Sequence, residues 1–401
     1  MKLTTMKWAF LCGTAAMIGA TSALADLPGK KIKKAESKAV DAKPADVSKP
    51  GKGQSKVQLA ILLDTSGSMS GLIEQTKTQL WSIVNTFIDA EQNGKVPFVE
   101  VALYEYGNDG LNAENHWIRQ VQPLTRDLDK ISENLFALRT NGGSEYCGAV
   151  IERAIGDLKW DTSTDVYKAI FVAGNEPFTQ GPIDPTSACK AAIAKGVIVN
   201  TIHCGNERVG INTGWKSGAM LADGKFLIID HNKAVVHIDA PQDVEILKWN
   251  KKLNGTYVPR GKIGITRLAT QSVQDAQAEK SKGNAIQQRA ATKASANYWN
   301  GNWDWVDACA VKEFKWEDMK VEDLPEEMKK MTVDERKAFI AKKKTERIAC
   351  QTKIQELTKE RASFVEAKLK ELGEDGDTLD KVVVQTVREQ AEAKGYKFAK
   401  K

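Results

Sequence analysis

The stretch Ile61-Leu62-Leu63-Asp64-Thr65-Ser66-Gly67-Ser68-Met69-Ser70 decides how the chain is read. An apolar run, Leu59 to Leu63, ends in a carboxylate, then two hydroxyls one residue apart, then Gly71 and a helix-like segment. Strand, D-x-S-x-S and helix in that order put three hard oxygen donors at the carboxyl end of a buried strand. Open α/β sheets bind ligands at that edge. One carboxylate and two hydroxyls with no base beside them make a poor nucleophile set. They make a good half-shell for Mg2+ or Mn2+, which favour oxygen ligands and keep positions open for water or a partner.

On both sides of this stretch, apolar runs alternate with amphipathic patterns. Val57–Leu63, Phe98–Tyr106, Lys168–Ala173, Val197–His203 and Phe226–Asp230 read as strands, with Trp117–Val121 as a short edge strand hairpinned to the second. Leu72–Phe87, Ile131–Leu138, Ala149–Leu158, Asp184–Ala194, Gly218–Ala222 and Gln242–Leu253 read as helices. Asp184-Pro185 supplies the N-cap and first-turn residues of one of them. Short connections between alternating strands and helices predict an α/β fold: a doubly wound, mostly parallel sheet covered on both faces, over residues 56–262. An α-helical extension follows over residues 263–401.

Asp64, Ser66 and Ser68 after an apolar strand, within this order of elements, resemble the metal-ion-dependent adhesion site of the von Willebrand factor A (vWA) family. The resemblance covers residues 56–262. It implies a second metal loop at Asn141-Gly142-Gly143-Ser144-Glu145, with Ser144 in the place of the family's Thr and two glycines for a close approach to the ion. The third loop departs from the pattern. The family's fourth strand ends in T-D-G, whereas this chain reads Phe171-Val172-Ala173-Gly174-Asn175-Glu176, which places Gly174 at the Asp position. Three readings stay open: Glu176 restores the carboxylate with its longer arm, the site is weaker, or a partner completes it. The metal set expected is Asp64, Ser66, Ser68, Ser144 and Glu176, holding Mg2+ or Mn2+. The partner implied is a protein offering an acidic side chain.

Little points to catalysis. A two-metal hydrolase needs more clustered carboxylates or histidines. His116, His203, His231 and His237 form no H-x-x-x-H pair, and the chain has no G-x-x-x-x-G-K-[ST]. His203 lies on the same edge as Asp64 and reads as a polar residue closing a strand. No enzyme is expected.

The 401 residues carry a net charge of +6. Two lysines in residues 1–25 and an excess of four in residues 26–55 account for all of it. The folded part is balanced, which argues against a nucleic-acid-binding domain. Lys2 and Lys7, the apolar Trp8–Ala20 and Ala23-Leu24-Ala25 read as a signal peptide over 1–25, hence a periplasmic or secreted protein. Residues 26–55 read as a basic disordered linker. With the leader's Cys12 removed, Cys147, Cys189, Cys204, Cys309 and Cys350 remain in an oxidising compartment where disulfides are allowed. Cys189–Cys204, Cys147–Cys189 and Cys309–Cys350 are the pairings considered; sequence does not choose among them.

The extension opens with a helical pattern over Leu268–Ala296, followed by Trp299, Trp303 and Trp305. Such a cluster can stack on a partner, but the anchoring of a helical arm onto the neighbouring domain is the favoured reading. Thr332 with Glu335 is a capping box opening one long helix to Leu372. Ile340, Ile348, Ile354, Leu357, Val365, Leu369 and Leu372 form an apolar stripe, interrupted by Lys342–Lys344 and Arg361. With Leu379–Ala393 returning, a helical hairpin or coiled coil is expected, with self-association through these helices. The reading favoured is an exported protein mediating divalent-cation-dependent protein–protein interaction or adhesion at the cell envelope. The alternative is a scaffold with a degenerate metal site, acting through its helices and Trp cluster; a cell-envelope enzyme using the same sheet edge is the least favoured reading.

Overall fold

Strand β1 (Lys56–Asp64) lies in the middle of a six-stranded sheet and pairs in parallel with a strand on either side. The sheet is seen in a computed structural model, which describes residues 55–70, 73, 81–229, 238–281, 283–373 and 379–398. The expected signal peptide, the expected linker except Ser55, residues 72 and 74–80 of the expected helix Leu72–Phe87, Asp230, His231 and His237 lie outside those residues. Strand β2 (Ala90–Glu91) is separate from the sheet. The sheet strands after β1 are β3 (Phe98–Tyr106), β4 (Ile118–Thr125), β5 (Tyr167–Gly174), β6 (Ile198–Cys204) and β7 (Phe226–Ile229). Their order is β4-β3-β1-β5-β6-β7, all parallel except the β3–β4 pair. A final strand, β8 (Lys397–Phe398), pairs antiparallel with β2.

The unbroken apolar character of β1 follows from burial on both sides. Val57, Leu59, Ile61 and Leu63 enter one apolar cluster, while Ala60 and Leu62 enter the other. The second cluster is closed by the helices Cys147–Asp157 and Pro185–Ala194 and by Trp215. Asp184 caps the latter helix, accepting from the Thr186 and Ser187 amides, with Pro185 at its first position. Across the sheet, the first cluster takes in Trp81, Ile83, Val84 and Phe87, the helix Leu128–Ala137, and much of the C-terminal part. The fold is therefore the expected mostly parallel sheet with helices on both faces, followed by helices.

The C-terminal part differs from the expectation in three respects. First, Leu268–Ala296 is two helices, Gly261–Lys280 and Ala285–Lys293, parted where Ser281 turns extended and Gly283 takes a φ of +83°. Second, the long helix Val333–Glu371 carries the predicted capping box but forms no coiled coil among the described residues. It lies along the helix Gln242–Asn254 and touches Ala285–Lys293 and Trp305–Ala308. Its buried line is Ile340, Arg347, Cys350, Ile354, Leu357, Arg361 and Leu369, with Ile348 and Leu372 exposed. The two arginines fill stripe positions because acids meet them: Asp304 and Asp307 for Arg347, Asp243 for Arg361. Third, the last helix, Leu379–Glu392, lies against β7, and its Val383, Val387 and Ala391 join the first cluster.

Nor do the expected disulfides form. None of the five described cysteines is bridged. Cys189 packs in the cluster on one face of the sheet and Cys204 in the cluster on the other. Cys350 sits in the main core, whereas Cys309 packs beside the smaller cluster around Trp305. Among the described residues, no helix is long and apolar enough to cross a membrane.

Candidate functional site at the carboxyl edge of the sheet

Asp64 ends β1, and the backbone that follows is pinned to two neighbouring loops. The Thr65 amide donates to the Tyr106 carbonyl at 2.9 Å, the Asn141 amide to the Thr65 carbonyl at 3.0 Å, and the Gly67 amide to the Gly142 carbonyl at 3.1 Å. These bonds bring the loops after β1, β3 and Leu138 to one point. Gly143 is needed there. At its φ of +143° a Cβ would stand 1.5 Å from the Gly107 carbonyl oxygen. Gly143, expected to admit an ion, thus serves first to bring two backbones together.

Inside this frame, Asp64 is fully buried. Its Oδ1 accepts the Ser66 amide at 2.7 Å, while Oδ2 has no hydrogen-bond partner. The hydroxyls of Ser66 and Ser68 share a hydrogen bond of 2.8 Å, and Ser68 Oγ donates to Asn175 Oδ1 at 3.0 Å. Burial pushes the Asp64 carboxyl up from 3.8 to about 7; bonds from Ser66 and the nearby Asn175 amide oppose this, and the charge of Glu145 adds to it. Glu145 is itself buried, and its pKa is raised by that burial and by the Glu176 carboxylate. Glu145 Cγ and Asp64 Oδ1 flank Gly107, lying 2.7 and 3.0 Å from the place of a Cβ there.

The predicted residues divide accordingly. Asp64, Ser66 and Ser68 form one connected group. Ser144 is half-buried, next in sequence to Glu145 and outside the hydroxyl chain. Glu176 is half-buried, and its backbone carbonyl accepts Trp215 Nε1 at 2.8 Å. Gly174 faces a filled space: a Cβ there would meet Tyr106 Oη at 2.6 Å, with Asp64 Oδ2 and the Trp215 ring at 3.1 Å. Glu145 and Asn175 are the site residues that sequence reasoning passed over. Glu145 directly follows Ser144, and Asn175 directly follows Gly174. His203, across from Gly174 on β6, is buried against Trp215 with both ring nitrogens unpartnered, and burial lowers its pKa.

Hard oxygens dominate this donor set: carboxylates, hydroxyls and an amide carbonyl. The orphaned Oδ2 of Asp64 is the kind of atom a cation would satisfy, so the residues fit Mg2+ or Mn2+. Among the described residues, no group of three or more His, Cys, Asp or Glu has metal-holding geometry, so any ion would rest on hydroxyl and amide oxygens as well. The Trp cluster contributes no open surface nearby, since Trp303 and Trp305 are buried as anchors.

No family model matches the chain, and no curated protein does. Its neighbours among solved structures include vWA domains, at low identity and over part of the chain. The conserved hypothetical protein BatB from Bacteroides thetaiotaomicron is 16% identical, covering 43% of this chain and 90% of its own, at a TM-score of 0.34. The SpRpn10 VWA domain is 17% identical, covering 49% and 95%, at 0.34. The vWF domain of the type V pili tip protein Mfa5 from Porphyromonas gingivalis is 11% identical, covering 45% and 91%, at 0.33. The fold assignment rests on the strand order, not on these scores.

Proposed function

We propose that this chain is an exported protein-binding module that works at the cell envelope. It captures an acidic side chain of a protein ligand through Mg2+ or Mn2+ held at Asp64, Ser66 and Ser68. One observation carries the reading: a fully buried carboxylate oxygen, Asp64 Oδ2, is left without a partner beside two hydroxyls. A buried acceptor without a hydrogen bond costs about 1–3 kcal/mol, and more when charged. A divalent cation removes that cost, and its open coordination positions suit a ligand carboxylate. A binding role is favoured over catalysis because the Ser66 and Ser68 hydroxyls bond each other and Ser68 bonds Asn175, while the carboxylates beside Ser66, Asp64 and Glu145, stand where they would hold the cation. Calorimetric titration of Mg2+ or Mn2+ into the protein tests the proposal. Binding lost in Asp64→Ala is the expected result. No binding up to millimolar metal would sink it.

A further inference from the structure

The loop after β5 lacks the carboxylate that D-x-S-x-S sites pair with, and position 174 has no space for one. Two other side chains reach the same point. Asn175 Oδ1 is drawn to the Ser66–Ser68 hydroxyl pair by the 3.0 Å bond from Ser68. Glu145, 6% exposed, packs across Gly107 from Asp64, and its Oε1 lies 3.3 Å from the place of a Gly143 Cβ. Glu176, the nearest carboxylate in the β5 loop, is half-buried and holds Trp215 through its backbone.

Resting on the cation reading above, we infer that Glu145 supplies the second carboxylate of the cation site. Asn175 supplies a neutral oxygen from the β5 loop, and Glu176 stands outside the inner donor set. The acidic pair alone would not make this case. The independent observation is the buried, unpartnered Asp64 Oδ2 between the two loops, 3.1 Å from the place of a Gly174 Cβ. The charge count also agrees, because Asp64 and Glu145 together match a divalent cation, with the hydroxyls and the Asn175 carbonyl as neutral donors. Glu145 comes from the loop where the family pattern supplies a hydroxyl, so the carboxylate has moved from one loop to another while the edge of the sheet stays the same.

The test is titration of the whole protein with Mn2+ alone, following free Mn2+ by electron paramagnetic resonance. The variants are Glu145→Gln, Asn175→Ala, Glu176→Gln and Asp64→Ala, each checked by circular dichroism in the absence of metal. Glu145→Gln keeps the shape of the side chain and removes its charge. Removing a charge this close to the ion should weaken binding by about tenfold or more. Asn175→Ala should weaken it several-fold, and it keeps the idea testable should the Glu145 variant misfold. Glu176→Gln should weaken it less than Glu145→Gln does, because its charge acts on the site from outside the donor set. Parent binding abolished by Asp64→Ala and Glu176→Gln but untouched by Glu145→Gln would overturn this inference and leave the cation reading standing. Parent protein that binds no Mn2+ at millimolar concentration would remove both.

Discussion

Gly174 and Tyr106 occupy each other's space: the Tyr106 hydroxyl donates to the Ala173 carbonyl at 3.0 Å and would stand 2.6 Å from any Cβ at position 174. The departure from T-D-G is therefore built into the packing of the sheet edge. Placing a carboxylate at this position, as Gly174→Asp, should not strengthen the site. It forces a side chain against a buried ring and adds a third carboxylate to Asp64 and Glu145. Overpacking of this kind costs about 1–3 kcal/mol, before any charge repulsion. Urea unfolding should show that loss, and Mn2+ titration should show no gain. A variant as stable as the parent that binds cation more tightly would refute the steric account.

The pH dependence of stability follows from Asp64. Its folded pKa, about 7, lies above the ordinary 3.8 because burial penalises the carboxylate. The folded state thus keeps a proton that the unfolded chain releases. The stability this group contributes is fully present below about pH 4 and is lost as pH rises to about 7. At about 1.4 kcal/mol per pH unit, the loss is on the order of 4 kcal/mol. Glu145, raised in the same sense, adds to it. Urea midpoints at pH 5 and pH 7.5 without divalent metal should fall more for the parent than for Asp64→Asn. Metal should restore stability at the higher pH, where no proton competes. Equal pH slopes in the two proteins would refute this assignment.

What could be read from sequence was what repeats or touches locally. Leu59–Leu63 announces a strand buried on both faces, Asp184-Pro185 a helix start, and Thr332 with Glu335 a capping box; each signal lies within a few residues. Glu145 and Asn175 were not legible as donors, because their approach to Ser68 and Asp64 depends on three loops meeting at Gly67, Gly107 and Gly142. Arg361 reads as a break in an apolar stripe unless Asp243, far away in sequence, is known to face it. The same limit applies to Arg347, whose acids lie more than a helix away.

Arg347 therefore makes a measurable case for the cost of a broken buried pair. Its Nη1 donates to Asp304 at 2.7 Å and to Asp307 at 2.6 Å, its Nη2 donates to the Thr256 carbonyl at 2.9 Å, and its guanidinium lies 4.0 Å from the Tyr257 ring centroid. Arg347→Met leaves one buried and one half-buried carboxylate without their cation and should cost about 3–5 kcal/mol in chemical denaturation. Arg153→Ala, which removes an exposed pair with Asp157, should cost under about 1 kcal/mol. Similar losses in the two variants would mean that the Arg347 cluster holds nothing together.

The sheet and the C-terminal helices share one core, so residues 56–262 should not fold alone. Ile354, Leu357, Val383, Val387, Ala391 and Tyr396 lie in the same cluster as Leu59 and Phe87. The join is polar as well as apolar. Tyr167 Oη donates to Gln390 Oε1 at 2.7 Å, and Gln390 Nε2 donates to Asn200 Oδ1 at 2.8 Å, all buried. A chain ending at residue 372 loses Gln390 and uncovers the part of that sheet face held by Val383, Val387, Ala391 and Tyr396. Each buried polar group left unsatisfied costs about 1–3 kcal/mol, against a total stability of about 5–15 kcal/mol. That chain should bind a hydrophobic dye, lose its near-ultraviolet dichroism and unfold without a sharp urea transition. A 56–262 fragment that unfolds cooperatively at the parent's midpoint would show instead that the helices are an appendage, and that the shared core contributes nothing to the sheet.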